Sequence, residues 1–141
     1  MRVVGIDFGM KRIGVAISNS LLSFAMPIGR VERIKNDKQT LLNLMHLLKD
    51  YKDIDRFVIG LPLHLSGRES EMSAEVRKFA AFLESETKIA VKFIDERLTS
   101  KTAEGLLRER EMNRKERKNH VDTLSATLIL QTYLELISLS K

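Results

Sequence analysis

The sequence predicts an α/β protein built on a mixed five-stranded sheet with helices on both faces. Two observations carry this. Three runs rich in branched apolar residues follow one another over short links before Asn36, which favours an antiparallel meander. The hydrophobic period then becomes helical, and two further short apolar runs alternate with helical segments, which favours α-linked strands added to the same sheet. No internal repeat, low-complexity tract or Pro/Gly/Ser linker interrupts the pattern, so residues 1–141 are expected to form one domain.

Each element has its own signal. "RVVGIDF" at 2–8 and "RIGVAIS" at 12–18 read as strands joined by the short "GMK" link. Residues 24–34, "FAMPIGRVERI", read as a looser third strand, and Pro27 and Gly29 point to an edge or a bulge. Asn36 is a helix cap, and Leu41, Leu44, Met45 and Leu48 recur at helical spacing through Lys49. "RFVIGLP" at 56–62 is a continuous apolar run, as in a strand buried on both faces. "LHLSGRES" is a loop, stiffened by Pro62, and Met72, Val76, Phe79, Ala80 and Leu83 mark one face of a second helix. "IAVKFID" at 89–95 is a fifth strand, after which Thr99 can cap a helix with Ala103, Leu106 and Leu107 turned inward. Residues 109–120 are crowded with charge, and a final helix is expected from about Val121 to Leu139. This order is that of the ribonuclease H-like arrangement, parts of which other α/β folds share.

Composition narrows the function. The chain has 141 residues, is 43% hydrophobic and carries a net charge of +5, so it can build a core and suits a polyanionic partner. There are no cysteines, which excludes disulfides and cysteine-ligated metal. The N-terminal residues run into a strand with no signal-peptide core, and no apolar run approaches the roughly 18 residues of a membrane span. A cytoplasmic protein is expected.

Acidic residues stand where strands end or a helix begins. Asp7 lies near the end of the first strand, between apolar neighbours. A buried carboxylate needs a cation, hydrogen bonds or a proton, and capping the hairpin or pairing with Lys11 or Arg12 would also satisfy it. Asp95 and Glu96 close the fifth strand, and alternation lets only one of them share a face with Asp7. Asp122 opens the expected last helix, where the helix dipole alone favours an acid. Ser125 and Ala126 follow it along the helix, small enough for close packing on the sheet. Together the three positions converge at the carboxyl ends of strands, where α/β sheets bind ligands. Clustered carboxylates repel unless they hold a cation, and hard oxygen donors suit Mg²⁺ or Mn²⁺ in phosphodiester hydrolysis. The segment "LLREREMNRKERKNH" leads into Asp122, and its Arg114, Lys115, Arg117 and Lys118 suit backbone phosphates, with affinity and salt dependence as the result. His64 and His46 are read as loop and structural residues, and Leu124, Leu128 and Leu130 as core.

"GIDFGMKRIGVAIS", "FVIGLPLHLSG", "DERLTS" and "VDTLSATLILQTYL" resemble the four signature blocks of the YqgF/RuvX family, in order and over nearly the whole chain. These are bacterial RNase H-like proteins named both for Holliday junction resolution and for pre-16S rRNA cleavage. The resemblance implies an acidic trio of Asp7, Glu96 and Asp122 that binds metal, and so selects Glu96 over Asp95. It also implies phosphate contacts from Lys11, Arg12 and Arg97. The chain departs from the family at Asn19 and Ser66, where members often carry Asp, and at His120, where many carry Lys. These changes bear on secondary metal or substrate contacts, not on the trio.

The expected activity is therefore metal-dependent hydrolysis of structured RNA, such as the 5′ end of pre-16S rRNA, or of branched DNA at a Holliday junction. The protein is expected to act as a monomer or a homodimer. A noncatalytic RNA-, ribosome- or transcription-associated module is a competing reading, although none of the three acids is missing. An actin-like ATPase or sugar kinase shares the first hairpin but needs a second such domain, and no second phosphate hairpin follows.

Overall fold

The structure is a computed structural model. It describes residues 1–63, 66–68, 70–99 and 114–139, with backbone alone for residues 99 and 114–123. In chain order the elements are β1 (Arg2–Phe8), β2 (Arg12–Ser18), β3 (Ala25–Glu32), α1 (Asp37–Leu47), β4 (Ile54–Leu61), α2 (Glu71–Thr87), β5 (Ala90–Asp95), a 3₁₀ turn (Glu96–Thr99) and α3 (Arg114–Leu139). The strands form one sheet in the order β3-β2-β1-β4-β5. β1 pairs antiparallel with β2 and parallel with β4. The expected mixed sheet is thus present, with β1 at its centre.

Edge position explains the third strand. Between the pairs Val15↔Gly29 and Ala16↔Pro27 the register shifts and leaves Ile28 unmatched as a bulge. Pro27 is tolerated because β3 is an edge strand and needs no donor on its outer side. β3 is therefore shorter than the expected 24–34.

Side-chain alternation assigns the two faces. Val4, Ile6 and Phe8 of β1 join a core with Leu44 of α1 and Phe79 of α2. Val3 joins a second core with Ala126, Ile129 and Leu130 of α3. Helices therefore cover both faces: α1 and α2 one, α3 the other. Leu124, Leu128 and Leu130 are buried, as expected of core residues. Asn36 caps α1, its Oδ1 accepting from the Lys38 and Gln39 N–H groups at 3.0 and 3.3 Å. Ser70 and Ser73 form a reciprocal cap on α2. Both hydroxyls donate to the Pro62 carbonyl, at 2.8 and 2.6 Å, tying the loop after β4 to the helix.

Two expectations change. α3 begins at Arg114 rather than near Val121, so the charged segment from 114 to 120 belongs to the helix. Arg, Lys and Glu are good helix formers but carry no apolar stripe for a periodicity argument to detect. Thr99 ends a 3₁₀ turn. The helix expected around Ala103, Leu106 and Leu107 lies outside the described residues, as does His64. Among the described residues no helix is long and apolar enough to cross a membrane.

Candidate active site at the carboxyl edge of the sheet

Strand parity decides where each acid stands. Val3 belongs to the α3-side core, and Gly5 meets α3 directly: a Cβ there would lie 2.6 Å from Leu130 Cβ and 3.0 Å from the Ala126 carbonyl. Asp7, two residues on, shares that face. It is half-buried and stands directly opposite Gly14 of β2.

β4 repeats the device. Val58 belongs to the α3-side core, and a Cβ at Gly60 would lie 2.6 Å from Ile129 Cδ1 and 3.6 Å from Glu96 Cγ. The last registered pair between β1 and β4 is Ile6↔Ile59, so Gly60 is the residue level with Asp7 one strand away, about 4.8 Å across the sheet. Asp7 and the half-buried Glu96 thus share the α3 face at the carboxyl edge, with Gly60 between them.

Asp95 takes the other side. It pairs with Leu61, which belongs to the α1/α2 core. Its carboxylate accepts from Arg97 three ways. Oδ1 takes the Arg97 backbone N–H at 3.0 Å, and Nε and Nη2 fork across both oxygens. That fork holds the Asp95 carboxyl below the usual carboxylate range and raises the guanidinium in turn. A Cβ at Gly67 would lie 3.9 Å from both Arg97 Nη atoms, so the loop after β4 passes beside the guanidinium. Exposed Ser66 sits in that loop.

α3 runs antiparallel to β1. Tyr133 receives a hydrogen bond from Arg56, which is level with Val3, while the Ala126 carbonyl stands over Gly5. Moving from Val3 towards Asp7 therefore moves back along α3, towards residue 122. The backbone of Asp122 lies four residues, about one turn, before Ala126, about 6 Å nearer the carboxyl edge. It stands within the helix rather than in its first turn, so complementing the helix dipole does not explain it. From Ala126 back to Arg114 the helix rises about 18 Å, which carries the backbone of Arg114, Lys115, Arg117 and Lys118 past that edge. The side chains of these four, of His120 and of Asp122 lie outside the described residues.

The hairpin cations also stand at this edge. Lys11 is exposed in the turn, and exposed Arg12 pairs with Glu32 across the strands at 3.5 Å. Arg33, which the sequence reading passes over, fixes this turn. Its backbone N–H donates to the Lys11 carbonyl at 2.8 Å and its Nη1 to the Gly9 carbonyl at 3.2 Å. Its guanidinium stacks 4.3 Å from the Phe8 ring centre. Gly5 and Gly60 are also missed from sequence, although a glycine inside a strand does signal close backbone approach. Asn19 corrects an expectation. It closes the β2–β3 turn, its Oδ1 accepting from the Ser23 and Phe24 N–H groups, at the end of the sheet away from Asp7. An amide there takes nothing from the acidic centre.

Among the described residues no three acidic or histidine side chains are grouped to hold a metal ion. The pair present, Asp7 and Glu96, consists of hard oxygen donors on one half-buried face, which fits a hard divalent cation.

A mixed sheet of this order, with acids at the carboxyl ends of β1 and β5 and a helix packed on its glycines, is the RNase H-like arrangement. Its fold matches Thermus thermophilus RuvC solved with a Holliday junction substrate, at a TM-score of 0.58 and 14% identity over 98% of this chain and 96% of that one. It also matches the fowlpox virus Holliday junction resolvase, at a TM-score of 0.59 and 12% identity over 97% and 99% of the two chains. The chain belongs to the RuvX family of nucleases, whose model, described as Holliday junction resolvase, matches residues 1–136. Relatives named "Putative pre-16S rRNA nuclease" include one from Protochlamydia amoebophila, 42% identical over 95% of this chain and 93% of its own length. Another, from Syntrophomonas wolfei, is 40% identical over 100% of this chain and 99% of its own.

Proposed function

We propose that residues 1–141 act as one nuclease domain that hydrolyses phosphodiester bonds with Mg²⁺ or Mn²⁺, at the 5′ end of pre-16S rRNA. The observation that carries this is the placement of Asp7 and Glu96 on one face, flanking Gly60, beneath a helix that brings residue 122 towards the same edge. Asp7, Glu96 and Asp122 would hold the cation. Bound there, it would supply charge neutralisation and Lewis acidity to a water and a phosphodiester.

The chain's own residues do the rest. Gly5 and Gly60 let α3 close down on the strands beside the acids. Lys11 and Arg12 on the hairpin, Arg97 beside the loop, and Arg114, Lys115, Arg117 and Lys118 at the start of α3 would hold backbone phosphates on either side of the scissile bond. The substrate is a nucleic acid, and the protein works in the cytoplasm as a monomer or homodimer. A junction-resolving activity is the second reading, favoured by the likeness of the whole fold to two resolvases.

The test presents a 5′-extended 16S rRNA precursor and a four-way DNA junction in parallel, in Mg²⁺ and in Mn²⁺, with Asp7→Asn as control. RNA cleavage lost in the variant supports the rRNA reading. Paired symmetric cuts in the junction support the resolvase. Binding of either without cutting overturns both in favour of a noncatalytic module.

A further inference from the structure

We propose that Asp95 is a positioning residue that fixes the Arg97 guanidinium at the rim of the site, where it meets a substrate phosphate neighbouring the scissile one. This rests on the reading that the carboxyl edge binds nucleic acid. Asp95 closes the fifth strand and shapes the turn that follows, its Oδ1 accepting the Arg97 N–H at 3.0 Å, and the structure adds a second task. Its parity turns it away from Asp7 and Glu96, to the side of Leu61. There one carboxylate takes both the backbone N–H and the side-chain fork of the residue two places on. Backbone and guanidinium are thereby locked to the same two oxygens, and a side chain rich in rotamers is held in one.

The loop supplies the other wall. Gly67 has φ of +88°, a conformation that favours glycine, and a Cβ added there would come into van der Waals contact with both Nη atoms. The guanidinium still keeps solvent access, with 36% of the Arg97 side chain exposed against 23% for Asp95. Arg97 directly follows Glu96, so a strand whose scissile phosphate reaches the α3 side would lay an adjoining phosphate on the other. A fixed fork meets that phosphate with less ordering cost than a mobile one.

The proposal makes a prediction opposite to simple charge. Removing an acid beside a polyanion site should tighten binding, whereas removing a positioning acid should weaken it. The experiment measures affinity for a fluorescein-labelled RNA hairpin and a labelled four-way DNA junction in Mg²⁺, across a salt series. Asp7→Asn is the common background, which protects the probe from cutting. Asp95→Asn should weaken binding roughly two- to tenfold. Arg97→Gln should weaken it about tenfold and lower the salt slope by about 0.7–0.9. Arg97→Lys should not rescue, because an ammonium lacks the fork. Adding Asp95→Asn to Arg97→Gln should cost nothing further.

Melting curves check each fold. If Asp95→Asn does not melt cooperatively, Asp95→Ser replaces it, keeping an acceptor for the turn N–H while dropping the fork. Equal or tighter binding by the folded Asp95 variant overturns the positioning role, as does weakening that persists without Arg97. Failure of the background protein to bind either probe overturns the nucleic-acid reading itself.

Discussion

On the face covered by α1 and α2, β1 presents Val4, Ile6 and Phe8, and β4 presents Phe57, Ile59 and Leu61, all buried. On the face covered by α3 the same strands present Val3, Gly5 and Asp7, and Val58 and Gly60. The first face fills space with side chains, and Phe8 stacks on Phe79 with ring centres 4.9 Å apart. The second gives up side chains as it approaches the carboxyl edge, until helix and strand backbones nearly touch. Bulk makes a stiff platform. Its absence lets a helix deliver a third element to the edge where two acids already stand.

The contrast can be broken at four points. The largest effect belongs to Asp7→Asn, which should lower cleavage by roughly 10³-fold or more, as loss of a member of a catalytic unit does. Its melting temperature should stay close to that of the parent; cleavage at the parental rate would remove Asp7 from the chemistry. Next is Phe79→Ala on the opposite face, which should cost about 3–5 kcal/mol in urea unfolding. Where the variant is still folded its cleavage rate should be unchanged, since its face carries none of the proposed trio.

Gly5→Ala should cost less, about 1–3 kcal/mol, because the new methyl meets Leu130 Cβ and a carbonyl that belong to helix backbone and its first side-chain atom. Unlike Phe79→Ala it should slow cleavage in the folded protein by lifting α3 from β1. An unchanged rate would show that close approach of α3 serves packing alone. The smallest effect is Ser70→Ala, about 1 kcal/mol by thermal melt, through the lost cap and the lost bond to Pro62.

Much of this was legible in the sequence. The five strands and the helices α1 and α2 announce themselves through period, caps and breakers, and Pro27 and Gly29 marked the edge strand correctly. Period 2 also places Asp7 on the face of Val3 and Gly5 without any coordinates. What could not be read was the start of α3, because a run of Arg, Lys and Glu is helical by propensity alone and carries no apolar stripe. Nor could the place of Asn19, because a strand end near a functional residue in sequence can be the far end of the sheet in space.

The sequence by itself determined the order of elements, the face on which Asp7 stands and the family to which the four motif blocks point. Local sterics and alternation act within a few residues, so a string of residues suffices to state them. Only the tertiary structure decided that α3 covers the glycine face and runs antiparallel to β1. The motif blocks already pointed to Glu96 over Asp95, but only the structure gave the physical reason, turning one to Arg97 and setting the other beside Gly60. Those outcomes depend on strand register and on which backbone a missing Cβ lets approach, and both are contacts between residues far apart in the chain.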